Sequence, residues 1–491
     1  MSFEIISIYL FKVIRVNERC NLKKCTDIKT SFHYLNNKVL SKHSSIQPNV
    51  STIILDNIIG MNFDNDILRP IDANLLYKMM SDSNVTKFHG CRTLMRKLPD
   101  QISDLSFSHT FREELTKESL PLNIKHITLC RYYDKPIGLG VLPEGLESIN
   151  FGYQYNLPIE RSTLPTSLKS LTISCESIKL LESLPPNLKV LRISGEVPRP
   201  IDSNFLPITL CSLQSIPVCW VPYLTKLPNL TSISFCDRSK SVFNGALPPN
   251  LTDLEFESKF VISVSMPSSI RHLTLNECYF NYDQLFPVDI QYRLKSLTAP
   301  RLPTQKPNLQ IFHIVYQGQS GVISLEAITH GVESLDLSSQ LSKLEVGSIP
   351  ASVKHLILNN FQSITPGSIP KSLESLELRN LYWSNVTEIP NGLIPDTLRS
   401  LKLEYSNEIL SSIPRTLTNI IFKETEKHYE CHIRKLDHHH YLMFGKPIDK
   451  IANFTFPHFR SIVLLHESLF IGGTIAKILT KTFNFYSKNY K

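Results

Sequence analysis

The sequence predicts a mainly β solenoid, in which about sixteen repeats of about 20–22 residues stack side by side. Three observations predict it. An apolar–proline template recurs along the chain, its prolines are spaced by about one repeat length, and an apolar triplet persists where the template weakens. One such unit cannot bury its apolar face alone, so we expect neighbouring units to form a continuous core and a parallel sheet on the concave face, with capped ends.

The template consists of an aliphatic residue, a proline, two small or polar residues, and three apolar positions spaced at three and two. Eight segments carry it: LPTSLKSLTI at Leu164, LPPNLKVLRI at Leu184, LPPNLTDLEF at Leu247, MPSSIRHLTL at Met266, IPASVKHLIL at Ile349, IPKSLESLEL at Ile369, IPDTLRSLKL at Ile394 and IPRTLTNIIF at Ile413. A weaker copy, QPNVSTIIL, begins at Gln47. The array therefore covers most of the chain.

The prolines set the register of the repeats. They are Pro99, Pro121, Pro143, Pro165, Pro185, Pro207, Pro228, Pro248 and Pro267, followed by Pro350, Pro370, Pro395 and Pro414. Between Pro267 and Pro350 the sequence pattern indicates that the proline is lost. The apolar triplet continues there in three further units, at Leu294/Leu297, Leu309/Phe312/Ile314 and Val332/Leu335/Leu337.

The spacing within one unit predicts a short strand. Leu171 and Ile173 alternate with Ser170 and Thr172, which is the period of a strand with one buried face. Pro165 has a fixed φ and no N–H, so it suits the turn that enters the strand. The return to the next strand is short and rich in Ser, Asn and Pro. We therefore expect turns and extended chain on the convex side.

The repeats resemble the FNIP repeat family of amoebae and large DNA viruses, through the segments IPASV, IPKSL, IPDTL and LPTSL. The Leu-x-x-Leu-x-Leu strand core is similar to that of leucine-rich repeats. The resemblance covers residues 95–425 and, more weakly, 47–95. The family's Phe-Asn tract is mostly eroded, with a relic at Phe243–Pro248, and the tract from Ile433 resembles a post-repeat segment. The resemblance implies protein–protein interaction, with no catalytic residues and no cofactor.

The pattern divides the chain into five segments. They are an N-terminal cap or leader at 1–46, degenerate repeats at 47–98, the repeat solenoid at 99–425, a C-terminal capping hairpin at 426–460 and a basic amphipathic tail at 461–491. Some viral relatives carry an F-box before the repeats. Residues 1–60 have neither a Leu-Pro-x-Glu opening nor a later Trp, so a cap is the preferred interpretation.

Two columns of side chains should point outward from the sheet. The first contains His126, Ser148, Ser170, Val190, Ser212, Ser232, Asp253, His272, Ser296, Ser334, His355, Ser375, Ser400 and Asn419. The second includes Thr128, Asn150, Thr172, Arg192, Gln214, Ser234, Glu255, Thr274, Thr298, Asp336, Glu377 and Lys402. Because both charge signs occur among Ser and Thr, these columns suit a protein partner better than a nucleic acid, which favours a continuous Lys/Arg stripe.

Composition and motifs exclude most other functions. The net charge of +8 is mild for 491 residues, and the ten cysteines are scattered, as expected of a reducing compartment. The sequence carries no nucleophile elbow, Walker loop or zinc-protease motif. His438, His439 and His440 follow Asp437, but consecutive residues on a strand point to opposite faces, so a hairpin is preferred over a metal site. We predict no catalytic, metal or cofactor residues and no small-molecule substrate.

The tail from Ser468 has a different character from the repeats. Residues 468–491 contain four lysines and no acid, with isoleucines at helical spacing. They predict a capping helix or, alternatively, a contact with calmodulin or a membrane surface. The sequence as a whole predicts a cytoplasmic interaction scaffold without signal peptide or transmembrane segment. The alternative is a regulatory adaptor, either ubiquitin-linked through the N-terminus or calmodulin- or membrane-responsive through the tail.

Overall fold

A computed structural model describes residues 77–447, apart from short gaps of which the longest are 195–200, 380–393 and 405–415. It also describes the strands Val13–Val16, Thr52–Leu55 and Val463–His466. The chain forms two compact units. The first unit comprises Met1–Cys236 with Ile451–Phe454, and the second comprises Asp237–Lys450 with Thr455–Lys491.

The first unit is built on one parallel sheet. Each strand pairs with the next one along the chain, so the chain advances by one strand per repeat. The described strands are Val13–Val16, Thr52–Leu55, Lys87–Cys91, Asp104–Phe107, His126–Thr128, Ser148–Asn150, Ser170–Ser174, Val190–Ser194, Ser212–Ile216 and Ser232–Phe235. The return segments contain only short helices: Arg161–Thr163, Cys175–Ile178, Val218–Trp220 and Val221–Leu224.

The second unit has the same parallel design in nine described strands. They are Asp253–Phe256, His272–Leu275, Tyr292–Ala299, Leu309–Tyr316, Ser334–Leu337, His355–Leu358, Ser375–Leu378, Ser400–Glu404 and Asn419–Glu424. The sheet then changes direction, because Tyr429–Lys435, His440–Pro447 and Val463–His466 add as antiparallel strands.

Short parallel pairs form beside the main sheet of the second unit. Ser241–Phe243 pairs with Phe260–Ile262, and Val322–Ile323 pairs with Lys343–Leu344. Phe243, in the relic of the Phe-Asn tract, is fully buried on the first of these strands. A single helix, Tyr282–Leu285, is described in this unit. Sequence reasoning foresaw the scarcity of helix in the return segments but missed these strand pairs.

The predicted mainly β, parallel solenoid is confirmed, and the repeat count differs slightly from sixteen. Within the part of the chain that the structure describes, the strands Val13–Val16, Thr52–Leu55 and Lys87–Cys91 precede the proline-marked series. Their parallel pairing continues without a break into Asp104–Phe107.

The template proline opens a turn before most of the described strands, as predicted. In the repeat of Pro165, the proline carbonyl accepts a hydrogen bond from the N–H of Leu168, at 3.2 Å. Lys169 and Ser170 then donate to the carbonyl of Glu147 in the preceding repeat, at 2.8 and 3.0 Å. The same proline turn recurs at residues 121–124, 143–146, 185–188, 207–210, 248–251, 267–270, 350–353, 370–373 and 395–398. At Pro228 the turn begins one residue earlier, since the N–H of Leu230 donates to the carbonyl of Leu227 at 3.3 Å.

The expected loss of proline between Pro267 and Pro350 is wrong in part. Pro287 keeps the turn, since its carbonyl accepts from the N–H of Ile290 at 3.2 Å. This repeat does not match the spacing of the template, because extra residues lengthen the strand that follows Pro287. We call the eight-residue strands Tyr292–Ala299 and Leu309–Tyr316 the lengthened pair, and residues 121–194 the regular stretch.

The core is made by the apolar positions of the template. Leu168, Leu171 and Ile173 are all fully buried, and the equivalent residues of the other repeats are nearly so. Burying each such side chain contributes roughly 1.5–3 kcal/mol. Aromatic rings stack behind the regular stretch, where Tyr133 and Tyr155 lie 6.2 Å apart with nearly parallel planes. Because each layer contacts the next, stability depends on an unbroken series of layers.

Candidate interaction surface

The two predicted columns lie on the sheet face opposite the core, which we call the outward face. Strand pairing places residues of the first column directly beside one another: His126 beside Ser148, Ser148 beside Ser170, and, in the second unit, His355 beside Ser375. All described residues of this column are half-buried or exposed. Each unit therefore presents a mostly polar series across its strands, in which Val190 is an apolar exception.

Two residues assigned to the second column do not point to solvent. Ser234 is 6% exposed, because the pairing shifts at a bulge beside it, where Ser215 adopts a φ of 56°. The hydroxyl of Ser234 accepts a hydrogen bond from the N–H of Ser215 at 2.7 Å. Asp336 is 8% exposed, and its carboxylate accepts from the N–H of Ser338 at 2.8 Å. These predictions were wrong because neither bulges nor local carboxylate capping follow from the repeat period.

The strand register also adds residues that the sequence reasoning passed over. His313 lies between Ser296 and Ser334 in the first column, and Ile357 lies between Asp336 and Glu377 in the second. The template copy at Ile349 already places Ile357 in the second column, and His313 follows from the template once the lengthened pair is aligned correctly. Burial lowers the pKa of His313, an effect that the nearby Asp336 carboxylate opposes. The ring is therefore mostly neutral near neutral pH.

A charged cluster lies on the outward face of the second unit. Arg379 donates from Nε to Oε1 of Glu377 at 2.9 Å, and a guanidinium nitrogen of Arg379 lies 3.7 Å from Asp336. Lys402 Nζ lies 3.4 Å from the same Oε1 of Glu377. Partial burial alone would raise the pKa of Glu377, but Arg379 and Lys402 hold it below its ordinary value. The cluster is internally compensated, so it offers both charge signs to a partner.

A row of lysines precedes the strands of the regular stretch. Glu147 lies between Lys169, at 2.8 Å, and Lys125, at 3.6 Å. Hydrogen bonding to Lys169 and its charge, with a smaller contribution from Lys125, lower the pKa of Glu147. Lys189 continues this row in the next repeat, and an open depression extends from Gly145 to Thr209 beside it. The three lysines outnumber Glu147, so this edge of the outward face carries a net positive charge.

A polar residue two positions after several of the prolines connects consecutive turns. The Ser167 hydroxyl donates to the carbonyl of Leu146 at 2.8 Å, and Thr209 donates to Leu188 at 2.8 Å. The Asn187 amide donates in the same way to Thr166 at 3.0 Å. Sequence reasoning recorded this position only as small or polar. Its preference for Ser, Thr or Asn follows from the carbonyl that it must satisfy.

Burial and local hydrogen bonds set the properties of the cysteine and histidine side chains that could carry chemistry. Burial raises the pKa of the Cys91 thiol to about 12 and that of Cys278 to about 11, so these thiols are poor nucleophiles at neutral pH. Within the described residues, no group of three or more His, Cys, Asp or Glu side chains converges on a possible metal position. The Asp437 carboxylate accepts hydrogen bonds from the N–H groups of His439 and His440, which fixes the hairpin turn.

Several sequence-based predictions lie outside the described residues. They are the cap or leader at 1–46 other than its short strand, the F-box alternative, and the basic tail at 468–491. Among the described residues, no helix combines the length and the apolar character that a membrane span requires.

The fold and the repeated turn define a β-solenoid protein of the leucine-rich-repeat type. The FNIP repeat model matches residues 133–176 and 341–380, so these two regions are FNIP repeats. The first matched region lies in the regular stretch. No curated protein sequence matches the chain.

Solved structures with some similarity are leucine-rich-repeat proteins. The structure of CroV588, a circular protein of this class, matches with 18% identity and a TM-score of 0.42, over 84% of this chain and 62% of that one. The present chain thus spans less than two thirds of CroV588. YopM from Yersinia enterocolitica WA-314 matches with 17% identity and a TM-score of 0.30, over 76% of this chain and 73% of that protein.

Proposed function

We propose that the protein is a non-catalytic scaffold that binds other proteins through its outward face. The observation that carries this proposal is the register of mostly polar residues across consecutive strands of each unit, in which Val190 and Ile357 are apolar exceptions. Solenoids use extended faces of this kind for binding, since adjacent repeats present equivalent side chains at regular intervals. A partner would meet many hydrogen-bonding groups spaced by the distance between strands.

The charges on this face favour a protein over a nucleic acid. Asp253 and Glu255 lie on the first strand of the second unit's sheet, and Glu377 lies further along it. Such carboxylates repel a phosphate backbone, whose affinity for proteins depends on continuous Lys and Arg contacts. The described cysteines are free thiols, which agrees with action in the cytosol.

The antiparallel strands of the second unit support the predicted hairpin at 426–460 as a cap. Tyr429–Lys435 pairs antiparallel with both Asn419–Glu424 and His440–Pro447. An antiparallel strand ends the parallel series and covers its edge, where a further chain could otherwise pair. We therefore propose that binding uses the parallel strands and that this hairpin closes the array.

Site-specific photo-crosslinking in the native cell tests the binding proposal. A photoreactive phenylalanine analogue replaces Ser170 on the outward face, or Ser375 in the second unit. Matched controls carry it at Thr166 or Lys371, which are exposed on the turns of the same two repeats. We expect defined protein adducts from the face positions and weak or no adducts from the turn positions.

A second substitution makes this test specific. Ser148 lies beside Ser170 on the neighbouring strand, so a bulky Ser148→Trp change should abolish the adduct formed at Ser170. Adducts that form only at the turn positions, or an adduct at Ser170 that Ser148→Trp leaves unchanged, would contradict binding through the outward face.

A further inference from the structure

A second exposed feature lies beyond the ends of two strands in the first unit. Arg131 and Tyr153 occupy equivalent positions in consecutive repeats, since Thr128 and Asn150 pair three residues before them. The Arg131 guanidinium lies 5.4 Å from the ring centre of Tyr153 and 5.6 Å from that of Tyr132. These tyrosine rings are 55% and 45% exposed, although most aromatic rings of this unit are buried.

The backbone holds these side chains in place. Gly152 adopts a φ of 79°, and a Cβ there would lie 2.4 Å from the carbonyl oxygen of Cys130 in the adjacent repeat. The Gly152 N–H donates to Oδ1 of Asn150 at 2.9 Å, and the Gln154 N–H donates to the carbonyl of Arg131 at 3.2 Å. The two repeats are therefore in close contact at this point, which fixes Tyr153 relative to Arg131.

The charge of Arg131 is not compensated within the described part of the chain, where no carboxylate forms an ion pair with it. The acid nearest in sequence, Asp134, pairs with Lys135 at 3.6 Å. A guanidinium that is stacked on rings keeps its N–H groups free at its edge, where they match the two oxygens of a carboxylate. Tyr and Arg are also the residues enriched at the centres of protein interfaces.

We propose that Arg131, Tyr132 and Tyr153 form a docking site for an acidic side chain of a partner protein. The partner's Asp or Glu would accept a bidentate hydrogen bond from the guanidinium, while the tyrosine rings cover the adjacent part of the partner chain. Because the rings already hold the guanidinium, little side-chain entropy is lost on binding. This site is separate from the outward face and does not depend on binding there.

Selection of a displayed library of random peptides on the full chain tests this proposal. Peptides that bind should carry Asp or Glu, and fluorescence anisotropy should show weaker affinity when these residues are replaced by Asn or Gln. The variant Arg131→Lys keeps the charge but loses the planar fork, and Tyr153→Ala removes one ring. Each should weaken binding at least about tenfold, as expected of a residue at the centre of an interface.

Lys226→Gln is the control, because Lys226 is an exposed cation of the same unit that lies on neither the outward face nor the proposed site. It should leave the affinity of these peptides unchanged, and circular dichroism should show that all three variants fold. The proposal is overturned if no selected peptide depends on Arg131, or if Arg131→Lys binds as tightly as the parent chain. An equal loss of affinity with Lys226→Gln would show attraction by general positive charge and would also overturn this site.

Discussion

The regular stretch and the lengthened pair use different residues to connect consecutive repeats through hydrogen bonds. Both must satisfy the carbonyls of a proline turn in the preceding repeat. In the regular stretch, Ser167 and Asn187 do so near the surface, with one or two hydrogen bonds each. In the lengthened pair, Asn308 is 2% exposed, and its amide donates to the carbonyls of Pro287 at 2.7 Å and Ile290 at 2.9 Å.

The difference follows from the length of the strands. Extra residues after Ile290 extend the sheet over the preceding turn, so the group that connects the two repeats becomes covered by protein. A covered amide must meet the carbonyls directly, whereas an exposed hydroxyl competes with water for the same bond. The repeat thus tolerates an insertion when a buried polar residue replaces the exposed one.

The largest effect is expected in the apolar core of the regular stretch, which uses the same template positions as the core of the second unit. Leu171 is fully buried between Ile149 and Leu191 of the neighbouring strands. Leu171→Ala should lower the free energy of unfolding by about 2–5 kcal/mol, since it leaves a cavity in several layers. Urea unfolding followed by circular dichroism measures this, with Thr172→Ala on the outward face as the control. The control should change stability by less than about 0.5 kcal/mol.

Removing Asn308 and Asn187 in turn tests whether burial makes the connecting hydrogen bonds of one region more stabilising than those of the other. Asn308→Ala should lower the free energy of unfolding by about 1–3 kcal/mol, because it removes two hydrogen bonds of a buried amide and water has little access to replace them. Asn187→Ala should cost about 0.5–1 kcal/mol, because water can replace the exposed amide. Chemical denaturation of both variants under the same conditions gives the difference. Equal losses would show that burial does not distinguish the two regions.

A smaller effect is expected at the turn hydroxyl of the regular stretch. Ser167→Ala removes the hydrogen bond to Leu146 and the one that the hydroxyl accepts from Gly145, at a cost of about 0.5–1.5 kcal/mol. Ser167→Thr should stay close to the parent, because Thr209 makes the equivalent bond two repeats later. Thermal unfolding compares the two variants. A threonine variant as unstable as the alanine variant would contradict the proposed role of the hydroxyl.

The smallest effect concerns the lysine row beside the regular stretch. Because its folded-state pKa is lowered, Glu147 contributes stability above the ordinary glutamate pKa and loses it as the pH falls through the lowered value. Lys169→Gln should raise the pKa of Glu147 towards the ordinary value. Lys125→Gln should raise it less, since Lys125 is farther away. NMR titration of labelled glutamates measures both shifts, and a larger shift with Lys125→Gln would contradict this order.

The sequence allowed most of the fold and much of the outward face to be predicted. Alternation in Ser170–Ser174 identifies buried and outward residues because the side-chain period of a strand is two. The bulge at Ser215, the burial of Asp336 and the extended strands after Pro287 escaped this reasoning. Each depends on how one repeat meets the next, which a single-repeat template does not contain.

By itself, the sequence determined a proline-marked, parallel β-solenoid, since every repeat encodes the same turn, strand and buried face. Only the tertiary structure decided which polar side chains reach solvent and which exposed ones come together. Arg131 becomes a candidate docking residue because Tyr153, one repeat away, is brought against it by a glycine that permits close approach. Contacts of this kind join residues about one repeat apart, and their geometry is set by the stacking of the layers rather than by local sequence.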